Sequence, residues 1–411
     1  MKKICFFLIL LLLSITCSLA ETPALDNPND FTYALLDDGT ALIFNYSGTA
    51  ESLDIPESLD GYPVSALSDN TFYGNDTLIS ITIPDSVSIP GGNPFAYCFN
   101  LTSINVSAEH PTLATIDGVL IEKNEQRLIC YPYAYTAESY SIPEGIRIIG
   151  PSAFSSCDSL SSITLPNSVE CIRGYAFSRC AALRSITISE GVECIEDYAF
   201  SECNALTDVT LPNSVTTIGA NPFCSCPALR NIVVSPDHPV LATIDGVLFK
   251  KAEKLLLCYP SGLDKKAYTV PQGICIIGDR AFEGSQLFSV VLPDSVTAIE
   301  FFVFNNCSSL VNIVIPDSVT FISGGAFSSC SSLTSVTLPN SITSINSWTF
   351  EDCTAMTSII VPDSVTEINE DAFSGCPNLT LTFPQDSVFV QYAMDNNIPY
   401  THPDQYDWLS K

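Results

Sequence analysis

The cysteines are the side chains of this sequence that offer the most chemistry. Thiols form disulfides, bind soft metal ions or act as nucleophiles, and the 411-residue chain has 17 cysteines. Regular spacing favours a structural role, because neighbouring repeats would hold the sulfurs with parallel Cβ directions that suit a disulfide badly. We therefore predict a ladder of buried free thiols, each three residues after a recurring phenylalanine: Cys98, Cys157, Cys180, Cys203, Cys226, Cys307, Cys330, Cys353 and Cys376.

The other cysteines and the histidines are weaker candidates for a reactive site. Cys171 and Cys194 occupy equivalent positions one repeat apart, which leaves a disulfide between them open. Cys224 and Cys226 form a C-x-C pair beside a proline, and no four-ligand cluster of C-x-x-C type exists. His110 and His238 each precede a proline in two similar segments, which is typical of turn residues. We predict no catalytic residue, no metal site and no cofactor, and hence a protein that is not an enzyme.

The charge is strongly acidic, with 45 acidic and 16 basic residues and a net charge of −29. A polyanion repels phosphates, so nucleic acid and anionic membrane surfaces are excluded as partners. Thirteen of the basic residues lie between Lys123 and Arg280, so a partner that uses electrostatics should dock there. A row of repeat aspartates, Asp294, Asp317 and Asp363, is interpreted as solvated turn residues, with weak divalent-cation binding as the alternative.

The first twenty residues have the features of a signal peptide. Lys2 and Lys3 precede an apolar run from Ile4 to Leu13, and small residues precede a cleavage point after Ala20. Lipidation at Cys17 is the alternative, although the residues before it fit a lipobox poorly. The remainder has no long apolar stretch, so we predict no membrane span and a secreted or cell-surface protein.

A repeat marked by phenylalanine organises most of the sequence. This phenylalanine usually follows alanine, and a second marker is a five-residue motif such as LPNSV, which begins at Leu165 and again at Leu211. The regular spacing predicts a solenoid built from one copied unit rather than several domains. The phenylalanine recurs at positions 72, 95, 154, 177, 200, 223, 282, 304, 327, 350 and 373.

The pattern within one unit predicts its local structure. Leu160, Ile163 and Leu165 indicate a short strand with one buried face, which the following proline ends. Val215 and Ile218 exemplify a second inward-facing edge. The A-F-x-x-C segment is interpreted as a short helical turn that directs phenylalanine into the core. The predicted fold is therefore β-rich, with short parallel strands and short helical turns.

Two longer steps interrupt the repeat, from Phe95 to Phe154 and from Phe223 to Phe282. Their sequences are similar to each other, and the motif IDGVL followed by L-x-C-Y-P predicts a β-hairpin in each. A hairpin is also predicted near the N-terminus and a helix containing Val388, Phe389 and Tyr392 near the C-terminus, as end caps. The predicted organisation is a signal peptide (1–20), an N-terminal cap (21–67), a solenoid (68–384) with inserts at about 96–142 and 224–270, and a C-terminal cap and tail (385–411).

These motifs resemble those of the BspA-like leucine-rich repeat proteins. The resemblance rests on regularly spaced units of the LTSITLPNSV type, the paired DGVL…YP inserts and the terminal Y-A-x-x-N-x-I-P-Y, and it extends from about Phe31 to Tyr400. It implies a leucine-rich-repeat solenoid in an exported protein, and an association with binding or adhesion at the surfaces of host-associated organisms.

The outward face of the main strands is the candidate binding surface. Most of its positions carry short hydroxyl side chains, but four carry long or apolar groups of the kind that contribute interface energy: Arg184, Arg230, Phe288 and Val311. We predict a monomeric protein that binds a protein or glycan ligand on host or neighbouring-cell surfaces. The alternative is a structural or self-associating protein of the cell envelope that has no specific ligand.

Overall fold

The computed structural model describes residues 28–383, 387 and 389–402. The predicted signal peptide, the alternative lipidation site at Cys17, the helix residue Val388 and the last nine residues lie outside the described residues. Within them the regular structure consists of short strands, a single 3₁₀ turn at Pro28–Asp30 and one α-helix, α1, at Phe389–Asp395, and turns connect the strands.

The strands are two to six residues long, because each unit reverses direction at its proline and again at its phenylalanine turn. In chain order they are β1 (Phe31–Leu35), β2 (Ala41–Tyr46), β3 (Ser52–Asp54), β4 (Ser58–Leu59), β5 (Tyr62–Leu67), β6 (Ser80–Ile83), β7 (Ser103–Val106), β8 (Leu113–Ile116), β9 (Val119–Glu122), β10 (Arg127–Cys130), β11 (Ser139–Ser141), β12 (Ile148–Ile149), β13 (Ser162–Thr164), β14 (Cys171–Ile172), β15 (Ser185–Thr187), β16 (Cys194–Ile195), β17 (Asp208–Leu211), β18 (Thr217–Ile218), β19 (Asn231–Val234), β20 (Leu241–Ile244), β21 (Val247–Lys250), β22 (Leu255–Cys258), β23 (Ala267–Thr269), β24 (Ile276–Ile277), β25 (Ser289–Val291), β26 (Ala298–Ile299), β27 (Asn312–Val314), β28 (Phe321–Ile322), β29 (Ser335–Thr337), β30 (Ser344–Ile345), β31 (Ser358–Ile360), β32 (Glu367–Ile368), β33 (Thr380–Thr382) and β34 (Tyr400–Thr401).

Equivalent strands of successive repeats stack in parallel and form the two long sides of a β-solenoid. One side, here called the long face, consists of three sheets in series: β3-β6-β7, β11-β13-β15-β17-β19, and β23-β25-β27-β29-β31-β33-β34. The other side contains the two-residue strands, such as β12, β14, β16 and β18. Ile163 pairs with Ile186, and Ile186 with Val209, so one step of the repeat puts identical positions side by side.

The core contains stacks of aromatic rings between the two sides, and a new stack begins at each insert. Successive rings are 5.0 to 5.6 Å apart between centroids, and each phenylalanine of the long runs is buried. Such pairs contribute roughly 0.5–1.5 kcal/mol each beyond the burial of their surface. At each insert a tyrosine replaces the phenylalanine at the start of the stack. The stacks run Tyr131–Phe154–Phe177–Phe200–Phe223 and Tyr259–Phe282–Phe304–Phe327–Phe350–Phe373.

The prediction of short helical turns was wrong. The phenylalanine segments are hydrogen-bonded turns, and in most of them the residues two before and two after the phenylalanine lie in the left-handed region; Tyr175 and Arg179, for example, have φ of 57° and 60°. The N–H of Phe177 donates to the carbonyl of Ala199, and that of Arg179 to Ser201, both at 2.8 Å. These N–H groups therefore donate to the next coil. In an α-helix they would instead donate to the carbonyl four residues earlier in their own segment.

Each insert contains a three-stranded antiparallel meander. Strands β8 and β9 are joined at Asp117-Gly118, where both residues have positive φ, as the Asp-Gly turn of a tight hairpin requires. Strand β9 then pairs with β10, and β10 pairs in parallel with β12 of the next coil. The second insert repeats this arrangement with β20, β21, β22 and β24. Each insert thus lies where one sheet of the long face ends and the next begins, and its last strand starts a run of parallel strands on the opposite side.

The two ends of the described chain differ from the repeats. Strands β1 and β2 form an antiparallel pair, and the ring of Tyr46 on β2 lies 5.4 Å from that of Phe72. At the other end, Phe389 and Ala393 of α1 are buried, and the ring of Tyr392 lies 6.5 Å from that of Phe373.

Candidate binding surface and buried side chains

The long face presents alternate side chains of each strand to solvent. In β15 the sequence Ser185, Ile186, Thr187 is exposed, buried and exposed, which is the period of a strand with one face in the core. Over β13, β15 and β17 the surface forms a shallow groove of about 520 Å³. Its outward lining is mostly hydroxyl side chains: Ser162, Thr164, Ser185, Thr187 and Thr210.

The four residues predicted for binding lie beside the two larger sheets of the long face, here called the first sheet (β11-β13-β15-β17-β19) and the second sheet (β23-β25-β27-β29-β31-β33-β34). Arg184 and Arg230 are exposed beside the first sheet, with Thr207 between them; the N–H of Thr207 donates to the carbonyl of Arg184 at 3.0 Å. Phe288 and Val311 are exposed beside the second sheet and are adjacent, since the N–H of Val311 donates to the carbonyl of Phe288 at 3.1 Å. The structure therefore brings together two pairs, not one cluster of four.

A second row of exposed apolar side chains was missed by the sequence reasoning. Val291 pairs with Val314, Val314 with Thr337, and Thr337 with Ile360, so the row runs across four strands. Val314 and Ile360 are 65% and 64% exposed. The sequence does contain a signal for this row, at the residue between the two buried positions of each strand. That residue is threonine in β13, β15 and β17 but valine or isoleucine in β25, β27 and β31.

Together with Phe288 and Val311, this row forms an apolar patch on the second sheet, here called the apolar column (Phe288, Val291, Val311, Val314 and Ile360). Val291 and Val314 are direct neighbours in the row, whereas Thr337 separates Val314 from Ile360. Exposed apolar groups gathered on one face mark interaction surfaces more often than single ones do. Lys266 Nζ lies 5.3 Å from the ring centroid of Phe288 and places one cation at the edge of the column. The aspartates that follow the strands, Asp294, Asp317 and Asp363, are exposed and make the neighbouring rim acidic.

The predicted cysteine ladder lies beside the phenylalanine stack, and eight of its nine thiols are buried in the core; Cys376 is half-buried, which differs from the prediction. Cys180 Sγ donates to the carbonyl of Phe154 at 3.1 Å, and Cys203 Sγ to that of Phe177 at 3.1 Å. The same bond to the preceding coil is made by Cys98, Cys226, Cys307, Cys330, Cys353 and Cys376. Cys157 is buried in the same row, and all fifteen described cysteines are free thiols. Burial raises the pKa of the Cys98 and Cys307 thiols to about 12, so these groups are protonated at neutral pH.

His110 and His238 hold the inserts in place. His110 Nδ1 accepts hydrogen bonds from the N–H groups of Thr112 and Leu113, at 3.2 and 3.0 Å, so Nδ1 carries no proton. Nε2 then donates to the carbonyl of Pro84 at 3.2 Å. His238 has equivalent partners, and burial lowers its pKa. Because both nitrogens of each ring bind the fold, neither is free for catalysis or metal binding.

In the described part of the chain, no helix has the length and apolar character needed to cross a membrane.

Comparison with known proteins agrees with this architecture. The sequence matches the family model of the BspA type leucine rich repeat region, in six copies, over residues 41–117, 129–255 and 264–397. A leucine rich cell surface protein from Faecalibacterium prausnitzii A2-165 is 28% identical, with a TM-score of 0.58 over 92% of this chain and 98% of that chain. Comparison with curated proteins finds no match.

Two further solved structures are more distant. A leucine-rich repeat protein from Bacteroides ovatus ATCC 8483 is 24% identical, with a TM-score of 0.43 over 91% of this chain and 98% of that chain. The pneumococcal vaccine antigen PcpA is 18% identical, with a TM-score of 0.48 over 90% of this chain and 96% of that chain. The family model covers most of the sequence, and the chain therefore belongs to the BspA-type leucine-rich repeat family.

Proposed function

We propose that this protein is an exported, non-enzymatic scaffold that binds proteins or glycans on host or neighbouring-cell surfaces through its long face. The observation that carries the proposal is the apolar column, which exposes branched and aromatic groups in register across the second sheet. Membership of a repeat family whose solved relative is named a cell surface protein supports the extracellular location.

The chemistry of the long face indicates the character of the partner. The column is apolar, and the chain has no Lys or Arg from Ala281 to Ser410, while Asp294 and Asp317 border the strands. A partner that presents an apolar or aromatic anchor flanked by Lys or Arg would complement this half. The pair Arg184 and Arg230 on the first sheet would accept an acidic or sulfated group, so the two sheets suit different parts of one extended ligand.

We further propose that the ends of the solenoid are capped. The ring of Tyr46 continues the aromatic stack beyond Phe72, and the N–H of Tyr46 donates to the carbonyl of Thr71, so the β1–β2 hairpin covers the first coil. At the other end α1 packs Phe389 and Ala393 against the last coil. Such caps keep the exposed edges of a solenoid from pairing with other chains and so favour a monomer.

The experiment compares binding of the purified chain and its variants to wells coated with extracellular-matrix proteins and with cell-surface protein and glycan preparations. Phe288→Asp and Val314→Asp each place a charge in the apolar column and are expected to weaken binding at least about tenfold, as loss of an interface hot spot does. Arg230→Glu tests the first sheet in the same assay. Phe321→Asp is the matched control, because Phe321 is exposed to 45% against 48% for Phe288 but lies on the opposite side of the solenoid.

The outcomes separate the proposal from its alternative. Binding that is unaffected by the three long-face variants, or equally affected by Phe321→Asp, would contradict a role for the long face. Concentration-dependent assembly of the wild-type chain that Val314→Asp abolishes, with no binding to any surface preparation, would instead support the structural, self-associating role.

A further inference from the structure

Among the residues that the structure describes, one compact group of side chains of the metal-ligating types lies on the side of the solenoid opposite the long face. Cys171 on β14 and Cys194 on β16 are direct partners in the parallel register, and Glu196 follows Cys194 by two residues. One ligand atom from each of the three lies within 4.8 Å of the other two. All three residues are half-buried, so an ion from solvent can reach them.

The donor set suits a soft divalent cation. Thiolate sulfur and carboxylate oxygen are ligands of zinc at about 2.3 Å and 2.0–2.2 Å, and three protein ligands with one open position form a common four-coordinate site. Ligand atoms of a tetrahedral site lie roughly 3.7 Å apart on those bond lengths. The present spacing therefore needs side-chain movements of about 1 Å or less, with no change in the backbone register.

The electrostatic surroundings also fit a divalent ion. Arg173 Nη1 lies 2.5 Å from Glu196 Oε1, and the N–H of Gly174 donates to Glu196 Oε2 at 3.0 Å, which orients the carboxylate towards the cysteines. Two thiolates and one carboxylate carry three negative charges, of which Arg173 offsets one, so a divalent ion makes the group neutral. Burial raises the pKa of Cys171, so the ion must displace its proton.

The cluster is also distinct from the cysteine ladder. Eight of the nine ladder thiols are buried and eight bind phenylalanine carbonyls of the preceding coil, whereas the Cys171 thiol faces Cys194. At the same register position the flanking strands carry Ile148 and Thr217. Cysteine is thus found on two neighbouring coils of this row and is bordered by an apolar group on one side and an exposed hydroxyl on the other.

We propose that Cys171, Cys194 and Glu196 form a binding site for a thiophilic divalent cation of the zinc type, with a fourth position open to water. The site was not predicted from the sequence, because its ligands come from two adjacent coils and not from a local C-x-x-C motif. A disulfide between the two cysteines is the competing arrangement; the structure has both as free thiols.

Cobalt titration of the full chain, reduced and kept free of oxygen, tests the site, because Co²⁺ reports tetrahedral thiolate ligation through its visible and charge-transfer absorbance. We expect one equivalent of Co²⁺ to bind and to produce thiolate-to-cobalt absorption bands, which should disappear when Zn²⁺ displaces the Co²⁺. Cys171→Ser and Cys194→Ser should each weaken binding at least about tenfold, and Glu196→Gln should weaken it at least about tenfold while keeping the thiolate bands, since even outer-shell partners are worth 10–100-fold. Cys275→Ser, which removes a half-buried thiol outside the cluster, should titrate like the wild type.

Peptide mapping of the wild type provides a measurement that does not depend on the folding of any variant. Zn²⁺ should protect Cys171 and Cys194, but not Cys275, from alkylation. The proposal is overturned if one equivalent of Co²⁺ produces no thiolate band, if either cysteine variant or Glu196→Gln binds as tightly as the wild type, or if Zn²⁺ leaves the alkylation of Cys171 and Cys194 unchanged.

Discussion

The ring stack predicts a coupling between neighbouring coils that can be measured at Phe327. This ring is fully buried and lies 5.3 Å from Phe304 and 5.4 Å from Phe350, with interplanar angles of 8° and 4°. Phe327→Ala should lower the free energy of unfolding by about 3–5 kcal/mol, because it leaves a cavity between two coils. Phe327→Leu keeps most of the volume but loses two ring contacts of roughly 0.5–1.5 kcal/mol each, which sums to about 1–3 kcal/mol.

A double-mutant cycle distinguishes ring stacking from simple burial. Phe327 and Phe350 are in contact, whereas Phe373 stacks on Phe350 and lies one coil further away. The pair Phe327→Leu and Phe350→Leu should therefore show a coupling of about 0.5–1.5 kcal/mol. The pair Phe327→Leu and Phe373→Leu should be additive within about 0.3–0.5 kcal/mol.

Urea denaturation followed by far-ultraviolet circular dichroism gives these free energies. The slope of the transition must stay constant among the variants, because a solenoid can unfold coil by coil and a changed slope would invalidate the comparison. No coupling in the neighbouring pair, or the same coupling in both pairs, would refute the reasoning. The stack would then be a consequence of the repeat geometry and not a source of stability.

Three further predictions concern the turns, the acidic groups and the thiols. Gly325 and Gly284 both have left-handed φ, but of the two only Gly325 would place a new Cβ against the ring of Phe302. Gly284→Ala should therefore destabilise the chain by roughly 1–2 kcal/mol, and Gly325→Ala by more. Equal shifts of the melting temperature in the two variants would contradict this. Burial raises the pKa of Asp279, so the contribution of its protonated form to stability is lost as pH rises. Asp279→Asn should therefore raise the melting temperature at about pH 7.5 but change it little at about pH 4. An equal increase at both pH values would show that charge is not the cause. A thiol reagent should react rapidly in the native protein only with the half-buried cysteines, which are Cys171, Cys194, Cys275 and the last ladder residue, Cys376. Mass mapping that finds fast labelling of the other eight ladder cysteines would contradict their burial in the core.

The repeat spacing was sufficient to predict the solenoid, because periodic burial needs no knowledge of distant contacts. A phenylalanine that occurs once per repeat can bury its ring only if successive coils stack, and the ring distances follow from the spacing of parallel strands. The conformation of the phenylalanine turn could not be predicted in the same way. Tyr175, Arg179 and Trp348 take left-handed φ although such residues rarely do. Hydrogen bonds from the segment's alternate N–H groups to the next coil hold that conformation, and no local sequence preference reports them.

The candidate surface was predicted in part for a related reason. Arg184, Arg230, Phe288 and Val311 stand out in the sequence as long or apolar groups at outward positions, and the structure exposes all of them. Their division between two sheets was not predicted, because it depends on how each insert meander pairs with its neighbours, which only the fold specifies.

A strict repeat places equal positions side by side, so its surface chemistry comes from departures from the repeat. Threonine at the outward position that follows the buried central residue gives β13, β15 and β17 a uniform hydroxyl surface, whereas valine or isoleucine at the same position in β25, β27 and β31 contributes three residues of the apolar column. Similarly, Cys171 and Cys194 occupy on two adjacent coils the position that Ile148 and Thr217 occupy on the flanking coils, so two thiols lie side by side. Neither departure disturbs the core, because both lie on outward positions of strands whose inward residues are unchanged. Stability therefore depends on the inward positions of the unit and the proposed recognition on its outward positions. Substitution of the outward residues should accordingly alter binding at little cost in folding free energy.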